Sequence, residues 1–236
     1  MGILIGIQLF VIALFLLLGW AIRVKKMYGL ISGFLDRREE EKEYLIKNGY
    51  PQKIGTLLIL TAAGMLFLLP LAFTSFTYTM EVQFGFMMIF LMGGMTYLSR
   101  YEVPGKRKRS YWISSLLMLV VFGMIGGLTF AGYQKNELIV AKDSFEITGM
   151  YGDKWKIEDI EEVTLLDEMP EVTWKINGFG LSTKAKGVFK VKEYGRSLLF
   201  IKKESPYIYI KVGDQHVFIN GGSPEETLAW YEELAG

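Results

Sequence analysis

Four runs of apolar residues, none interrupted by a charged side chain, lie within the first 133 residues of this 236-residue chain. They occupy residues 3–22, 55–74, 82–99 and 111–133. A helix of about 20 apolar residues crosses the hydrocarbon core of a bilayer, which is about 30 Å thick. Buried helices of a large soluble protein are the alternative, but four such runs without interior charge favour a membrane. We therefore predict a four-helix transmembrane anchor over residues 1–133, and leave open whether the third and shortest run crosses fully.

The Lys and Arg residues of this part are confined to two loops, residues 23–54 and 100–110. Short loops rich in Lys and Arg stay on the cytoplasmic side of a membrane. We expect both loops to be cytoplasmic, and the N-terminus and the C-terminal domain of this multi-pass cell-membrane protein to lie outside. The first run follows no basic residue and exceeds the roughly 7–15 apolar residues of a signal peptide, so we interpret it as a retained span.

A charged helix is predicted between the first two spans. Asp36 is an expected N-cap with Glu39 three positions later, and Asn48-Gly49 is the expected stop after Lys47. Pairs of opposite charge four residues apart stabilise a solvated helix by a few tenths of a kcal/mol each, on the order of 0.2–0.5. We interpret the charge run as a solvated helix face rather than a binding site.

Residues 134–236 have the composition of a water-soluble domain. They carry 13 Lys and Arg against 18 Asp and Glu, whereas the first 133 residues carry 13 against 7. The formal net charge of +1 therefore conceals two parts of opposite sign. Alternation of apolar and polar residues predicts nine strands. They are placed at about 137–141, 144–149, 154–157, 162–167, 172–177, 188–192, 196–202, 207–212 and 215–219.

One helix follows these strands. Ser223-Pro224-Glu225-Glu226 is a capping box with proline at the first helical position. Leu228, Tyr231 and Leu234, with Trp230 beside them, form an apolar stripe that could close one end of a curved sheet. The predicted fold is an all-β barrel or sandwich over residues 134–236, closed by one C-terminal helix and able to fold by itself.

The membrane part resembles a family of small bacterial membrane proteins of unknown function over about residues 1–103. The resemblance is carried by a basic turn after the first span, the charged helix, and the openings and ends of later spans. These segments are Gly29-Leu30-Ile31-Ser32-Gly33-Phe34, Ile54-Gly55 and Ser99-Arg100-Tyr101-Glu102. The resemblance implies a topology but no mechanism.

The second part resembles the bacterial pleckstrin-homology-like domains over about residues 137–234. The similar segments are Phe145-Glu146-Ile147-Thr148, Trp155-Lys156-Ile157, Asp159-Ile160, Gly187-Val188-Phe189, Pro206-Tyr207-Ile208 and Ser223-Pro224-Glu225-Glu226-Thr227. Eukaryotic relatives bind phosphoinositides through a basic first hairpin. The matching hairpin here, from Gly149 to Asp153, lacks that Lys/Arg cluster, so the resemblance does not imply lipid-phosphate binding at this place.

Residues that could carry chemistry are few. The chain has no cysteine, and its single histidine, His216, has no second imidazole or thiolate with which to hold a metal. We therefore expect no catalytic residue, no metal site and no cofactor, and predict that the chain is not an enzyme. Four lysines flank Gly187 at spacings of two and could share one face of a hairpin. This candidate basic patch consists of Lys184, Lys186, Lys190 and Lys192.

A patch of this kind could contact anionic lipid headgroups or an acidic envelope polymer. The alternative is a solvated edge whose lysines keep strands of neighbouring molecules from pairing. We expect the lipid bilayer and a protein or envelope component as partners, and no nucleic acid. The predicted function is non-catalytic binding, scaffolding or sensing by an extracytoplasmic domain on a membrane anchor. The alternative is an accessory subunit of a membrane transporter or membrane enzyme complex.

Overall fold

The computed structural model describes residues 2–181 and 183–236. The chain divides into two compact units, Met1–Gly123 and Met124–Gly236. We call the first the membrane unit and the second the β unit. The division falls inside a long helix, whereas the sequence predicted a boundary at its end, after residue 133.

Five α-helices precede the strands. They are α1 (Gly2–Arg23), α2 (Glu39–Lys47), α3 (Tyr50–Leu68), α4 (Thr79–Leu98) and α5 (Arg107–Tyr133). Four of them, with short 3₁₀ extensions, are long and apolar enough to cross a membrane, and they cover Ile5–Arg23, Tyr50–Phe73, Thr79–Tyr101 and Pro104–Tyr133. The prediction of four long apolar helices is confirmed. The third run forms α4, whose 20 residues are long enough to cross a bilayer.

Proline and glycine set the ends of α3. Gly49 precedes the helix with a φ of 69°, in the left-handed region that a side chain disfavours. Pro70 follows the last α-helical residue and lies in a 3₁₀ turn from Leu69 to Phe73. Because proline lacks an N–H and clashes with the preceding turn, the α-helix ends before it.

Close packing in the membrane unit depends on glycine. A Cβ atom built on Gly19 of α1 would lie 2.7 Å from the carbonyl oxygen of Gly55 on α3, and one on Gly55 would lie 2.8 Å from the carbonyl oxygen of Gly19. The two backbones therefore approach where neither residue has a side chain, as small residues allow between membrane helices. By contrast, Cβ atoms built on Gly123 and Gly127 of α5 would meet no described atom within 4 Å.

The short helix α2 begins later than the sequence predicted. Its N-cap is Arg38, which makes no side-chain capping bond, rather than Asp36. Its C-terminal end at Lys47 and the stop at Asn48-Gly49 are as predicted. The capping pattern was misleading because Arg37 is used elsewhere, in an ion pair with a distant carboxylate.

Among the described residues of the β unit, nine strands follow one another in the order that the sequence predicted. They are β1 (Leu138–Val140), β2 (Ser144–Ile147), β3 (Lys154–Lys156), β4 (Ile160–Leu166), β5 (Val172–Leu181), β6 (Lys184–Val191), β7 (Gly195–Lys202), β8 (Tyr207–Val212) and β9 (Gln215–Ile219). One C-terminal helix, α6 (Pro224–Ala235), follows them. The predicted fold class is confirmed, although β5 and β6 are longer than predicted and Gly187 lies within β6 rather than at a turn.

The strands form two sheets. One has the order β1-β2-β3, and the other has the order β4-β8-β9-β7-β6-β5 with a single parallel pair, β7 and β9. Phe145 and Ile147 of the small sheet pack with Ile208, Val217 and other residues of the large sheet in the main core. A second apolar cluster around Phe189 and Phe218 occupies the other face of the large sheet.

Helix α6 covers the main core with a different stripe from the one predicted. Trp230 is buried in the core and Tyr231 and Leu234 pack against it, but Leu228 is 42% exposed. Thr227, which is polar and was left out of the stripe, takes the buried position one turn before Trp230. The buried face therefore keeps Trp230, Tyr231 and Leu234 of the predicted stripe and differs from it at one position, where Thr227 replaces Leu228.

Candidate functional site

Three lysines of the β unit converge at one end of the large sheet. Lys184 and Lys186 lie two residues apart on β6 and therefore project from the same face of the strand. Lys202, the last residue of β7, is the register partner of Lys184. Antiparallel pairing thus brings together residues that are 18 positions apart in sequence. We call Lys184, Lys186 and Lys202 the lysine cluster.

The lysine cluster lines a small pocket. The other walls are the chain that leads into β1 (Gln134, Lys135, Asn136) and the loop that leads into α6 (Asn220, Gly221, Gly222), with Glu226 of α6. The cavity holds about 30 Å³, enough for one or two water molecules. A pocket of this size can admit a carboxylate or phosphate oxygen but not a whole metabolite.

Burial and mutual repulsion make the lysine cluster electrostatically unfavourable when empty. Lys186 is only 6% exposed, and its ammonium donates a hydrogen bond to the backbone carbonyl of Gln134. Burial, with the charges of Lys184 and Lys202, lowers the pKa of Lys186 to about 8. Burial also lowers the pKa of Lys184, and Lys202 adds to that shift. An anion in the pocket would relieve the repulsion and raise both pKa values.

The charge of Glu204 partly opposes the lowering of the Lys184 pKa, but Glu204 forms no ion pair with the lysine cluster. Among residues 2–181 and 183–236, none of its three ammonium groups forms an ion pair. The ammonium of Lys184 lies 4.2 Å from the ring centre of Tyr133, a cation–π contact. The carboxylate of Glu226 lines the pocket but accepts a hydrogen bond from the backbone N–H of Gly222. The positive charge of the cluster is therefore available to an outside anion.

The loop beside the cluster is held by the start of α6. Ser223 caps the helix by accepting a bond from the N–H of Glu226 at 3.3 Å, as predicted. The returning bond from the Glu226 side chain goes to Gly222 rather than to Ser223, where it was predicted. Thr227 accepts a bond from the N–H of Gly221 at 2.9 Å. Two side chains of α6 thus fix the backbone that forms one wall of the pocket.

The structure divides the predicted basic patch. Lys184 and Lys186 belong to the lysine cluster, whereas Lys190 is exposed at the other end of β6. Lys192 follows β6 and forms an exposed ion pair of 3.4 Å with Glu171. The four lysines therefore do not form one continuous patch. Lys202 was missed because only the β6–β7 register, which the sequence does not state, places it beside Lys184.

A second charged cluster lies in the membrane unit, in the loops that the sequence places together on one side of the membrane. Arg37 forms a double hydrogen bond with the carboxylate of Glu102, with N–O distances of 2.6 and 2.8 Å. Lys106 pairs with Glu41 at 2.8 Å. Both carboxylates are about 4% exposed. The sequence predicted that α2 is a solvated helix face. The structure differs, because the buried carboxylate of Glu41 on α2 joins the two loops.

Pairing sets the ionisation of this second cluster. Hydrogen bonding to Glu102 raises the pKa of Arg37, although burial opposes the shift. A hydrogen bond from Lys106 lowers the pKa of Glu41, again against the effect of burial. Every charge described here has an internal partner. The cluster therefore stabilises the two loops and offers no charge to a ligand.

His216 is held by contacts with Tyr209, in agreement with a structural role. Its Nδ1 shares a hydrogen bond of 2.8 Å with the hydroxyl of Tyr209, and its ring stacks on the Tyr209 ring with centres 5.9 Å apart. Burial raises the pKa of Tyr209 to about 12, so the phenol keeps its proton at neutral pH. Among the described residues, no group of three or more His, Asp or Glu side chains could hold a metal ion.

Comparison with known families finds a match for each part of the chain. Residues 9–102 match the family model of a domain of unknown function (DUF3784), and residues 136–235 match the model of a bacterial PH domain. Both resemblances found in the sequence are confirmed. No curated protein and no solved structure gives a significant match to the chain.

Proposed function

On the premise that the chain joins a membrane domain of unknown function to a bacterial PH domain, we propose that it is a membrane-anchored, non-enzymatic binding protein. Its PH domain binds an anionic group of a protein or envelope component at the lysine cluster. The observation that carries this proposal is the convergence of Lys184, Lys186 and Lys202 in a pocket where, among the described residues, they have no ion-pair partner.

The geometry of the pocket supports recognition of a small anionic group rather than catalysis. Three lysine ammonium groups attract an anion, and a cavity of about 30 Å³ leaves room for an anionic group but not for a whole substrate. A binding role also agrees with the exposed edge of the large sheet. Trp174 and Ile176 on edge strand β5 are 71% and 49% exposed, an apolar surface that a protein partner could cover.

The proposal is tested by affinity capture from detergent-solubilised membranes with the full chain as bait. The Lys184→Gln/Lys186→Gln/Lys202→Gln variant removes the cluster charges and is expected to lose at least about tenfold of the captured partner, since each charge–charge contact contributes on the order of 1 kcal/mol or more. The matched control is Lys175→Gln/Lys190→Gln/Lys192→Gln, which removes the same charge from β5, from the other end of β6 and from the residue that follows β6. Equal loss in both variants, or in neither, would overturn the proposal.

We further propose that the PH domain lies outside the cytoplasm. The support is the confinement of Lys and Arg in the membrane part to residues 23–54 and 100–110, together with four membrane-length helices. A reporter fused after Gly236 should be active when it is of a type that works only outside the cytoplasm, and silent when it works only inside. The reverse pattern would place the PH domain in the cytoplasm and overturn the orientation.

One observation favours the alternative of an accessory subunit. The most apolar stretch of α5 has no residue buried by the rest of the chain, whereas parts of the other three spans are buried. Trp112 and Leu119, for example, are 77% and 70% exposed. A second membrane protein that packs on α5 would co-purify in fixed stoichiometry. Its capture should survive loss of the lysine cluster, which distinguishes it from a partner of the PH domain.

A further inference from the structure

A groove with apolar walls runs between α3 and α4 of the membrane unit. Its volume is about 620 Å³, within the range of small-molecule sites. Leu57 and Leu60 line it from α3, and Ile89 and Phe90 line it from α4. Gly93 is part of the lining, and a Cβ atom built on it would meet no described atom within 4 Å. The groove therefore has room for a flexible hydrocarbon chain beside Gly93, which contributes no side chain.

One end of the groove is lined by Lys53, Tyr97 and Tyr101, and Arg100 lies beside this end against the two tyrosine rings. The ammonium of Lys53 lies 4.3 Å from the ring centre of Tyr101. The guanidinium of Arg100 lies 4.9 Å from the ring centre of Tyr97 and donates a hydrogen bond of 3.0 Å to its hydroxyl. Tyrosine, lysine and arginine at the end of a membrane helix occupy the headgroup level of a bilayer. This end of the groove is thus polar and the remainder is apolar.

The two cations are not neutralised by the protein. Within the described chain, neither Lys53 nor Arg100 forms an ion pair. A neighbouring groove between α4 and α5 provides the comparison, since its basic residues include Arg37 and Lys106. Those two are paired with Glu102 and Glu41, respectively. The groove between α4 and α5 is also lined by Arg109, which forms no ion pair among the described residues, but it contains the carboxylate of Glu102. The described lining of the groove between α3 and α4 has no acidic residue, so this groove is the better match for an anion.

We propose that the groove between α3 and α4 is a binding site for one anionic phospholipid. The phosphate-bearing headgroup contacts Lys53 and Arg100, and an acyl chain lies along the apolar walls over Gly93. Cations close to a membrane surface attract anionic headgroups, and the aromatic rings hold those cations in place. The site is separate from the lysine cluster and does not depend on the proposed partner or on the orientation of the PH domain.

The experiment is native mass spectrometry of the full chain, purified in a neutral detergent and titrated with phosphatidylglycerol or phosphatidylcholine. The wild-type chain should retain one phosphatidylglycerol at concentrations at which phosphatidylcholine is lost. Lys53→Gln/Arg100→Gln should weaken retention of phosphatidylglycerol about 25-fold and leave that of phosphatidylcholine unchanged, since each of the two cations near a headgroup contributes about 1 kcal/mol, or fivefold. The matched control Lys47→Gln/Lys108→Gln removes the same charge from exposed loop positions and should behave as wild type.

A second pair of variants tests the apolar part of the groove. Gly93→Leu places a side chain in the groove and should abolish retention of both lipids. Gly85→Leu adds the same side chain to α4 where a Cβ atom also meets no described atom within 4 Å, outside the groove, and should have no effect. Equal retention of the two lipids by the wild-type chain, or equal losses in the two charge variants, would overturn the site. Partner capture by the lysine cluster should be unaffected in all four variants, so failure here is distinguishable from failure of the proposed function.

Discussion

Large apolar side chains point outward in the membrane unit and inward in the β unit. Phe67 of α3 and Trp112 of α5 are 84% and 77% exposed, whereas Phe145 and Phe218 of the β unit are at most 1% exposed. Lipid is as apolar as these side chains, so the membrane unit gains little by burying them against each other. Its helices approach instead at Gly19 and Gly55, where backbone meets backbone. Burial of a large apolar side chain against protein therefore stabilises the β unit, whereas it contributes little to the membrane unit.

The largest effect expected from this comparison is at Phe218. Replacement by Ala removes a fully buried ring and should lower the free energy of unfolding of the β unit by about 3–5 kcal/mol. Phe67→Ala, the matched control in the membrane unit, should change stability by no more than about 0.5 kcal/mol, as exposed positions usually do. Denaturant unfolding of the full chain in detergent measures both. Similar losses would show that Phe67 packs against protein.

A smaller effect is expected where a side chain is added to the membrane unit. Gly55→Leu should destabilise the α1–α3 contact by about 1–3 kcal/mol, because its Cβ atom would lie 2.8 Å from the carbonyl oxygen of Gly19. Gly123→Leu adds the same side chain on α5 where a Cβ atom meets no described atom within 4 Å, and should be tolerated. Thermal unfolding in detergent distinguishes the two. Tolerance of Gly55→Leu would mean that the helices do not cross at that residue.

The stability of the β unit should depend on pH through Lys186. Its pKa is about 8 in the folded chain and about 10.4 when unfolded, so the unfolded state binds more protons between these values. Stability should therefore rise as pH increases through 8, by on the order of 1 kcal/mol between pH 7 and 9. Lys186→Met should flatten this rise and should be the more stable protein at pH 7. An unchanged pH profile in the variant would assign the rise to another group.

The smallest effect is expected at the cap of α6. Ser223→Ala should cost about 0.5 kcal/mol, at the low end for N-caps, because the bond to Glu226 is long at 3.3 Å. Thr227 and Glu226 also continue to accept bonds from Gly221 and Gly222. Trp230→Ala should cost several times more, about 3–5 kcal/mol. Near-equal melting temperatures for the two variants would indicate that α6 does not close the core.

The features that were predicted correctly are those that a short segment of the sequence determines by itself. Charge-free runs of about 20 residues indicate spans, and strict alternation indicates strands, because each depends only on the solvent that one element meets. The nine strands and the cap at Ser223 were found in this way. The burial of Thr227 was missed because Thr227 is polar, but its hydroxyl forms hydrogen bonds with the loop backbone and can therefore be buried.

The features that were missed depend on pairing between distant residues. Lys202 joins Lys184 only through the register of β6 and β7, and Arg37 meets Glu102 only when the two loops of the membrane unit come together. Neither pair leaves a periodic signal, since 18 and 65 residues separate the partners. The predicted patch grouped lysines by nearness in sequence and so included Lys190 and Lys192, whose surroundings differ.

The attachment of α5 determines how the membrane unit could be taken apart. Arg107 donates a hydrogen bond of 2.9 Å to the Tyr44 hydroxyl, Ser110 donates one of 2.9 Å to Ser99, and Lys106 pairs with Glu41, all at the N-terminal end of the helix. The most apolar stretch of α5 has no buried residue. If the backbone were cut at Gly105, the released fragment would depend largely on these polar contacts to stay with the rest of the membrane unit. Acid or concentrated salt, rather than a harsher detergent, would then separate the two fragments.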